Sequence, residues 1–197
     1  MEDFWNQRYA EHPTVYGTMP NLFFKNFIDQ QEPGALLLPA EGEGRNALYA
    51  AARGWQVDAF DFSMEARKKT LQQAESLHLA VNYETKKIQE YSAEKLYDLV
   101  ALIYVHTEPL VRKSFHAALV KSIKPGGFLI LEAFSKSQLE FKSGGPAAID
   151  MLFDTTLLVE DFKALQVIQC EQLETELNEG AFHKGKASVM RFIGVKQ

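Results

Sequence analysis

Between positions 40 and 44 small residues fall at every second place, Ala40, Gly42 and Gly44, with Glu41 and Glu43 between them. A main chain stripped of side chains in this way can pass close beneath a bound ligand. The stretch that follows, Asn46 to Arg53, reads as a helix closed by Gly54. The first amide N–H groups of such a helix point back at the loop and suit a carboxylate or a phosphate. One strand later comes Asp61, flanked by Phe60 and Phe62 and followed by Ser63. An acid there accepts hydrogen bonds from both hydroxyls of a ribose. Its other role, capping the next helix, falls better to Ser63, which has Ala66 and Arg67 behind it. A glycine-bearing loop and then an acid one strand on is the chemistry of a nucleotide site.

Spacing alone leaves two nucleotides open. Gly42-x-Gly44-x-x-Ala47 satisfies the dinucleotide fingerprint. A methyltransferase loop places its small residues before and up to Gly44, and Ala40, Gly42 and Gly44 satisfy that as well. NAD and S-adenosylmethionine both use the acid after the second strand.

The elements that must hold these residues alternate between strand and helix. Ala35–Leu38 is a short, wholly apolar run, as expected of a strand buried on both faces. Further strands are expected at 56–60, 80–85, 98–104 and 128–133, with helices between them, the one before the fifth strand opening near Thr107 or Glu108 with Pro109 in its first turn. Lys124-Pro-Gly-Gly127 reads as a tight turn into the fifth strand. Two more strand-like runs, 165–173 and 187–195, form an antiparallel pair at the sheet edge. The first 31 residues carry Phe4, Trp5, Tyr9, Tyr16, Phe23, Phe24 and Phe27 and read as two short helices joined at 12–17. The whole predicts an α/β doubly wound, Rossmann-like sheet, mostly parallel, with ligands beyond the carboxyl ends of the strands at the switch between its halves.

Composition narrows the function. The chain has 197 residues, read here as a single domain, with 1–31 as an N-terminal helical lid, 35–134 as the cofactor-binding core and 135–197 as C-terminal strands and substrate-side loops. Its formal charge of −5 argues against a phosphate backbone as partner, so no nucleic acid is expected. Cys170 is the one cysteine, so neither an internal disulfide nor a Cys-x-x-Cys zinc pair exists. The acidic start and the lack of any long apolar run point to a cytoplasmic protein that neither enters a membrane nor carries a leader. A monomer or weak homodimer is expected.

Beyond these readings, the string Leu36-Leu-Leu-Pro-Ala-Glu-Gly-Glu-Gly-Arg-Asn-Ala47 resembles motif I of small bacterial class I S-adenosylmethionine-dependent methyltransferases related to the tellurite-resistance and thiopurine enzymes. Trp5-Asn-Gln-Arg-Tyr9, Val15-Tyr-Gly-Thr-Met-Pro-Asn21, Lys124–Phe134, Gly144-Gly-Pro146 and Glu176–His183 resemble other parts of the same family. The resemblance implies a seven-stranded sheet with the final strand inserted antiparallel between two others, S-adenosylmethionine as cofactor and no metal. It implies a cofactor site built from Tyr16, Ala40, Glu41, Gly42, Gly44, Asp61, Phe62, Ser63, Lys87, Ile88 and Tyr104. Two positions depart from the broad superfamily: Leu38 replaces an acid at the end of the first strand, and Lys87 stands where an acid or amide often meets the adenine. Phe62 and Ile88 are then expected to pack against the base.

In this fold Tyr104-Val-His106 ends beside the reacting centre, which makes His106 a candidate proton acceptor, with a helix cap as its alternative role. Glu132, Glu179 and His183 are candidates for the same cleft, and Tyr16 for an aromatic lid over a sulfonium. The expected activity is methyl transfer to a small molecule such as a thiol or chalcogen compound. A protein methyltransferase, a non-catalytic S-adenosylmethionine-binding module and an NAD-dependent enzyme are the alternatives.

Overall fold

The computed structural model describes residues 2–180 and 182–197, with side chains from Trp5 onward, so the Phe4 side chain and Ala181 lie outside the described residues. Seven strands form one sheet: β1 (Ala35–Pro39), β2 (Gln56–Asp61), β3 (Val81–Thr85), β4 (Tyr97–Ile103), β5 (Ile123–Phe134), β6 (Gln166–Asn178) and β7 (Lys184–Val195). Their order is β3-β2-β1-β4-β5-β7-β6. β1 to β5 pair in parallel, and β7 runs antiparallel to both β5 and β6. The mostly parallel sheet, and the insertion of the final strand between β5 and β6, are as expected. The order reverses between β1 and β4, which places the switch point at the ends of those two strands.

The central strands are mostly apolar along their middles because both faces are covered. Leu37, Val100, Leu102, Leu129 and Leu131 face one layer, where Phe115 and Leu119 of α5 (Pro109–Lys121) and Leu158 of α6 (Thr155–Asp161) meet them. Leu36, Leu38, Leu99, Ala101 and Ile130 face the other, under Phe24 and Ile28 of α2 (Leu22–Ile28) and Ala47 and Ala50 of α3 (Arg45–Ala51). This strict alternation between layers is the period of two of an extended chain. Two further helices, α1 (Glu2–Glu11) and α4 (Met64–Ser76), pack on each other. Among the described residues no helix is long and apolar enough to cross a membrane.

Several local features differ from the sequence reading. Lys124–Gly127 is not a turn outside the sheet but lies within β5: pairing runs Tyr97↔Ile123, then resumes at Leu99↔Phe128 after a register shift. The extra residues bulge out, with Gly126 at φ +78° and its amide on the Lys196 carbonyl at 2.7 Å. α6 has no counterpart in the sequence reading; Asp154 caps it by accepting the Leu157 amide at 2.8 Å. The C-terminal strands are longer than their apolar runs, because the hairpin stays paired out to Asn178↔Lys184 through polar residues.

α6 is fastened to α5 by charge in a dry layer. Asp161 Oδ2 accepts from Arg112 Nε and meets His116 Nδ1, both at 2.9 Å, with all three side chains at most 4% exposed. The His116 ring stacks on Phe162 at 4.5 Å. Removing one partner from a buried pair strands the other charge, which costs about 3–5 kcal/mol. Asp161→Ala is therefore expected to lower the urea unfolding midpoint by that amount of stability while leaving the slope of the transition unchanged.

Candidate cofactor and acceptor cleft

The loop leaving β1 turns into the left-handed region three times: Ala40 has φ +50°, Gly42 +64° and Gly44 +77°. Ala40 carries a side chain there at a cost of roughly 1–2 kcal/mol. Tyr104, leaving β4, has φ +55°. Strained residues thus terminate both strands that flank the switch point, a place where such strain collects in functional sites. The alternating small residues serve the protein's own packing. A Cβ on Gly42 would stand 2.7 Å from the Tyr9 hydroxyl, and one on Gly44 would stand 2.2 Å from Thr70. The missing side chains let α1 and α4 close onto the loop.

The amides at the head of α3 are not free, contrary to the sequence reading. Glu41 folds back and its Oε1 accepts from the Asn46 and Ala47 amides at 2.9 and 2.8 Å. Burial pushes the Glu41 carboxyl up to about 7, against the opposing pull of these donors. With its amide tied down, Asn46 offers its side-chain oxygen to the Asn21 amide at 2.9 Å.

Asp61 ends β2 directly beneath the loop and is 5% exposed. Oδ2 accepts from the Gly42 amide at 3.1 Å and Oδ1 from the Ser63 amide at 2.8 Å. Burial raises its carboxyl to about 6, although the amides of Ser63, Gly42 and Phe62 hold it down. Each oxygen retains lone-pair capacity for a further donor. Ser63 is the helix cap: its Oγ accepts from the Ala66 amide at 3.2 Å and donates to Asn6 Oδ1 at 2.6 Å. The one hydrogen of that hydroxyl is thus given to the protein. Phe62 is half-buried, Ile88 is half-buried against the core layer that contains Phe60, and Lys87 is exposed.

His106 corrects the expectation of a proton acceptor. Its Nδ1 donates to the Met151 carbonyl at 2.8 Å and its Nε2 accepts from the Phe134 amide at 3.2 Å. Both ring nitrogens are committed to backbone, and burial lowers the imidazole to about 4, so it stays neutral and structural.

A polar cluster beside Tyr104 joins residues far apart in sequence. Asn21 Nδ2 donates to Glu132 at 2.6 Å and to Glu179 at 2.9 Å. Arg191 pairs with Glu132 at 2.6 Å, and Arg45 pairs with Glu179 at 2.9 Å. The Tyr104 hydroxyl donates to Glu132 at 3.2 Å. Burial would raise the Glu179 carboxyl, but His183 and Arg45 outweigh it and hold it at about 2. The His183 ring lies between Tyr16 (4.4 Å) and Tyr104 (4.7 Å), and its Nδ1 is 3.5 Å from Glu179, beyond good hydrogen-bond range. Sequence reasoning placed Glu132, Glu179 and His183 in one cleft; it missed Asn21, Arg45 and Arg191, which bind them together.

A seven-stranded sheet with β7 inserted antiparallel, and an acid after β2 beneath a glycine loop after β1, defines the class I methyltransferase fold. Residues 39–127 match a family model described as a methyltransferase domain. Among curated proteins the chain is 30% identical over 103 residues to a ubiquinone biosynthesis O-methyltransferase of Rickettsia akari (strain Hartford); the match takes in 52% of this chain and 41% of that one. The chain thus spans less than half the length of the curated relative it matches. Among solved structures, TehB from Haemophilus influenzae superposes with a TM-score of 0.78 at 17% identity, covering 100% of this chain and 67% of that one. A protein described for the conversion of a disulfide bond into a thioacetal group during echinomycin biosynthesis gives 0.80 at 14% identity, covering 100% and 92%.

The Glu41 carboxyl sets a pH test. Its folded-state value lies above the ordinary 4.5, so the stability it contributes is fully present at low pH and is lost as pH rises from about 4.5 through 7. Glutamine keeps an acceptor for the helix amides and does not titrate. Between pH 5 and pH 8 the unfolding temperature of Glu41→Gln is expected to gain on that of the wild type by several degrees. An equal change in both proteins would show that Glu41 ionises as freely as in water.

Proposed function

We propose that this chain is an S-adenosylmethionine-dependent methyltransferase acting on a small molecule. The observation that carries the reading is how the groups around the glycine loop spend their hydrogen bonds. Glu41 occupies the helix amides that a pyrophosphate would need, and Asp61 adds a second carboxyl group beside it. Such a loop gives its helix amides to Glu41 instead of to a phosphate, and through Asp61 it suits a ligand with hydroxyl donors. That disfavours the dinucleotide that the spacing alone allows, and it fits a sulfonium nucleoside.

In this reading Asp61 takes the two ribose hydroxyls on its remaining lone pairs. Phe62 and Ile88 pack on the base, while the exposed side chain of Lys87 leaves adenine recognition to them and to backbone. Ala40, Gly42, Gly44 and Glu41 shape the floor. Tyr16 and Tyr104 offer aromatic faces to the cation, worth about 0.5–2 kcal/mol for each good contact. The cofactor, when bound, supplies an activated methyl group on sulfur. The residues of this chain then have to align the acceptor and keep water out, which in favourable cases is worth roughly 7–11 kcal/mol.

The acceptor side favours a nucleophile that needs no base. Both nitrogens of His106 are bound to backbone, and Glu132 and Glu179 are each paired with an arginine. A thiol or chalcogen compound, ionised or carrying an available lone pair near neutral pH, meets that condition. The named relatives differ in acceptor, one being an O-methyltransferase and another acting at sulfur, so this assignment rests on the cleft itself. The single cysteine, Cys170, accords with a reducing, cytoplasmic setting.

Calorimetric titration tests the reading. S-adenosylhomocysteine and S-adenosylmethionine are expected to bind, and NAD to give no heat at millimolar concentration. Asp61→Asn should weaken S-adenosylhomocysteine about 10- to 100-fold, the range for a hydrogen bond to a charged group. NAD binding without S-adenosylmethionine binding would refute the function; unchanged affinity in Asp61→Asn would refute the ribose contact.

A further inference from the structure

The connection between α1 and α2 is tied to the glycine loop by two side chains to which the proposed chemistry gives no part. Glu43, 9% exposed, accepts the Val15 amide on Oε2 at 2.6 Å. Its Oε1 pairs with Lys69 Nζ at 2.8 Å. Lys69 sits on α4, whose Ala66 and Thr70 already pack toward α1 and the loop, and it donates to the His12 carbonyl at 2.5 Å and reaches the Pro13 carbonyl at 3.4 Å. Val15 between these contacts is completely buried with Tyr9 and Ala66.

The opposite side of the segment is equally close-fitted. A Cβ on Gly180, at φ +75°, would come within 2.5 Å of the Val15 carbonyl oxygen and 2.8 Å of the Gly17 amide. Residues 12–17 are therefore gripped between Glu43 and Lys69 on one side and the β6–β7 connection on the other. Tyr16 lies in the middle of the grip with its ring on His183.

We propose that Glu43 and Lys69 form a clasp that positions Tyr16 over the cleft and sets how long a bound cofactor is retained. The charge-assisted bond from the Val15 amide to Glu43 is of the strong kind, and Lys69 holds Glu43 in place while satisfying the carbonyls of the same segment. For the cleft to exchange its ligand the segment must lift, and it lifts only when this bond opens. Glu43 and Lys69 are positioning residues: they act through residues 12–17 and not on the reacting atoms. The kinetic part of the proposal rests on the cofactor reading above.

The test uses the full chain with Glu43→Gln, Lys69→Met and the conservative Lys69→Arg. Hydrogen exchange of the ligand-free proteins is measured first, because it does not depend on the identity of the ligand. Amides 14–17 are expected to exchange at least tenfold faster in Glu43→Gln and Lys69→Met, with β4 unchanged and Lys69→Arg close to the wild type. Stopped-flow release of S-adenosylhomocysteine, followed through the fluorescence of Trp5, should then accelerate about tenfold in the same two variants. Unchanged exchange at 14–17 overturns the clasp. Faster exchange with unchanged release overturns its role in retention. A wild type that binds no S-adenosylhomocysteine refutes the cofactor reading, and the retention role with it, while the exchange measurement still decides whether the clasp exists.

Discussion

The first amides of α3 have to find acceptors in a place from which water is largely excluded, and Glu41 meets that demand. An unpaired buried amide is expensive, so a carboxylate that reaches back across its own loop fixes the path of everything between. With Glu41 on the helix, the main chain must turn left-handed at Ala40, Gly42 and Gly44. The Gly42 amide then faces Asp61, and the Gly42 carbonyl accepts from the Tyr83 hydroxyl at 2.6 Å. Glu43 is left pointing at Val15, and Asn46 at Asn21. One capping interaction thereby sets the contacts of the loop with β2, β3 and the N-terminal segment at once.

The opposite wall solves a different problem, that of placing two carboxylates in a buried cleft. Each of Glu132 and Glu179 has its own guanidinium, and Asn21 bridges them with one amide group. The arrangement is close to neutral overall, which limits the cost of burial. It also ties together α2, α3, β5, β7 and the end of β6.

The central architecture was legible in the sequence because its signals are local. Apolar runs such as Leu36–Leu38 and Leu99–Leu102 mark strands covered on both faces, and Ser63 declares its helix through the spacing to Ala66. The location of Asp61 could be read for the same reason, since it follows the strand that ends with it. What could not be read was the use to which polar atoms are put. The hydroxyl of Ser63, the imidazole of His106 and the amides of α3 all looked available, and all are engaged by partners that the chain supplies from elsewhere. His106 is satisfied by Met151 and Phe134, neither of which advertises itself by residue type. α6 was invisible because its seven residues carry too short a pattern, and its stability comes from Asp161 meeting Arg112 rather than from periodicity.

The place of β7 has a bearing on how the chain acquires its shape. β5 lies between β4 and β7, so one edge of its Phe128–Phe134 stretch waits on a strand made some fifty residues later. Until then the growing sheet ends in an open apolar edge, the surface most prone to join a second chain. The hairpin of β6 and β7 pairs over twelve residue pairs of its own and can assemble before it docks. Insertion then seals the edge and delivers Arg191 to Glu132 in one event. The step that makes the protein safe from aggregation is thus the same step that finishes its cleft, and a ribosome-bound chain lacking β7 has neither.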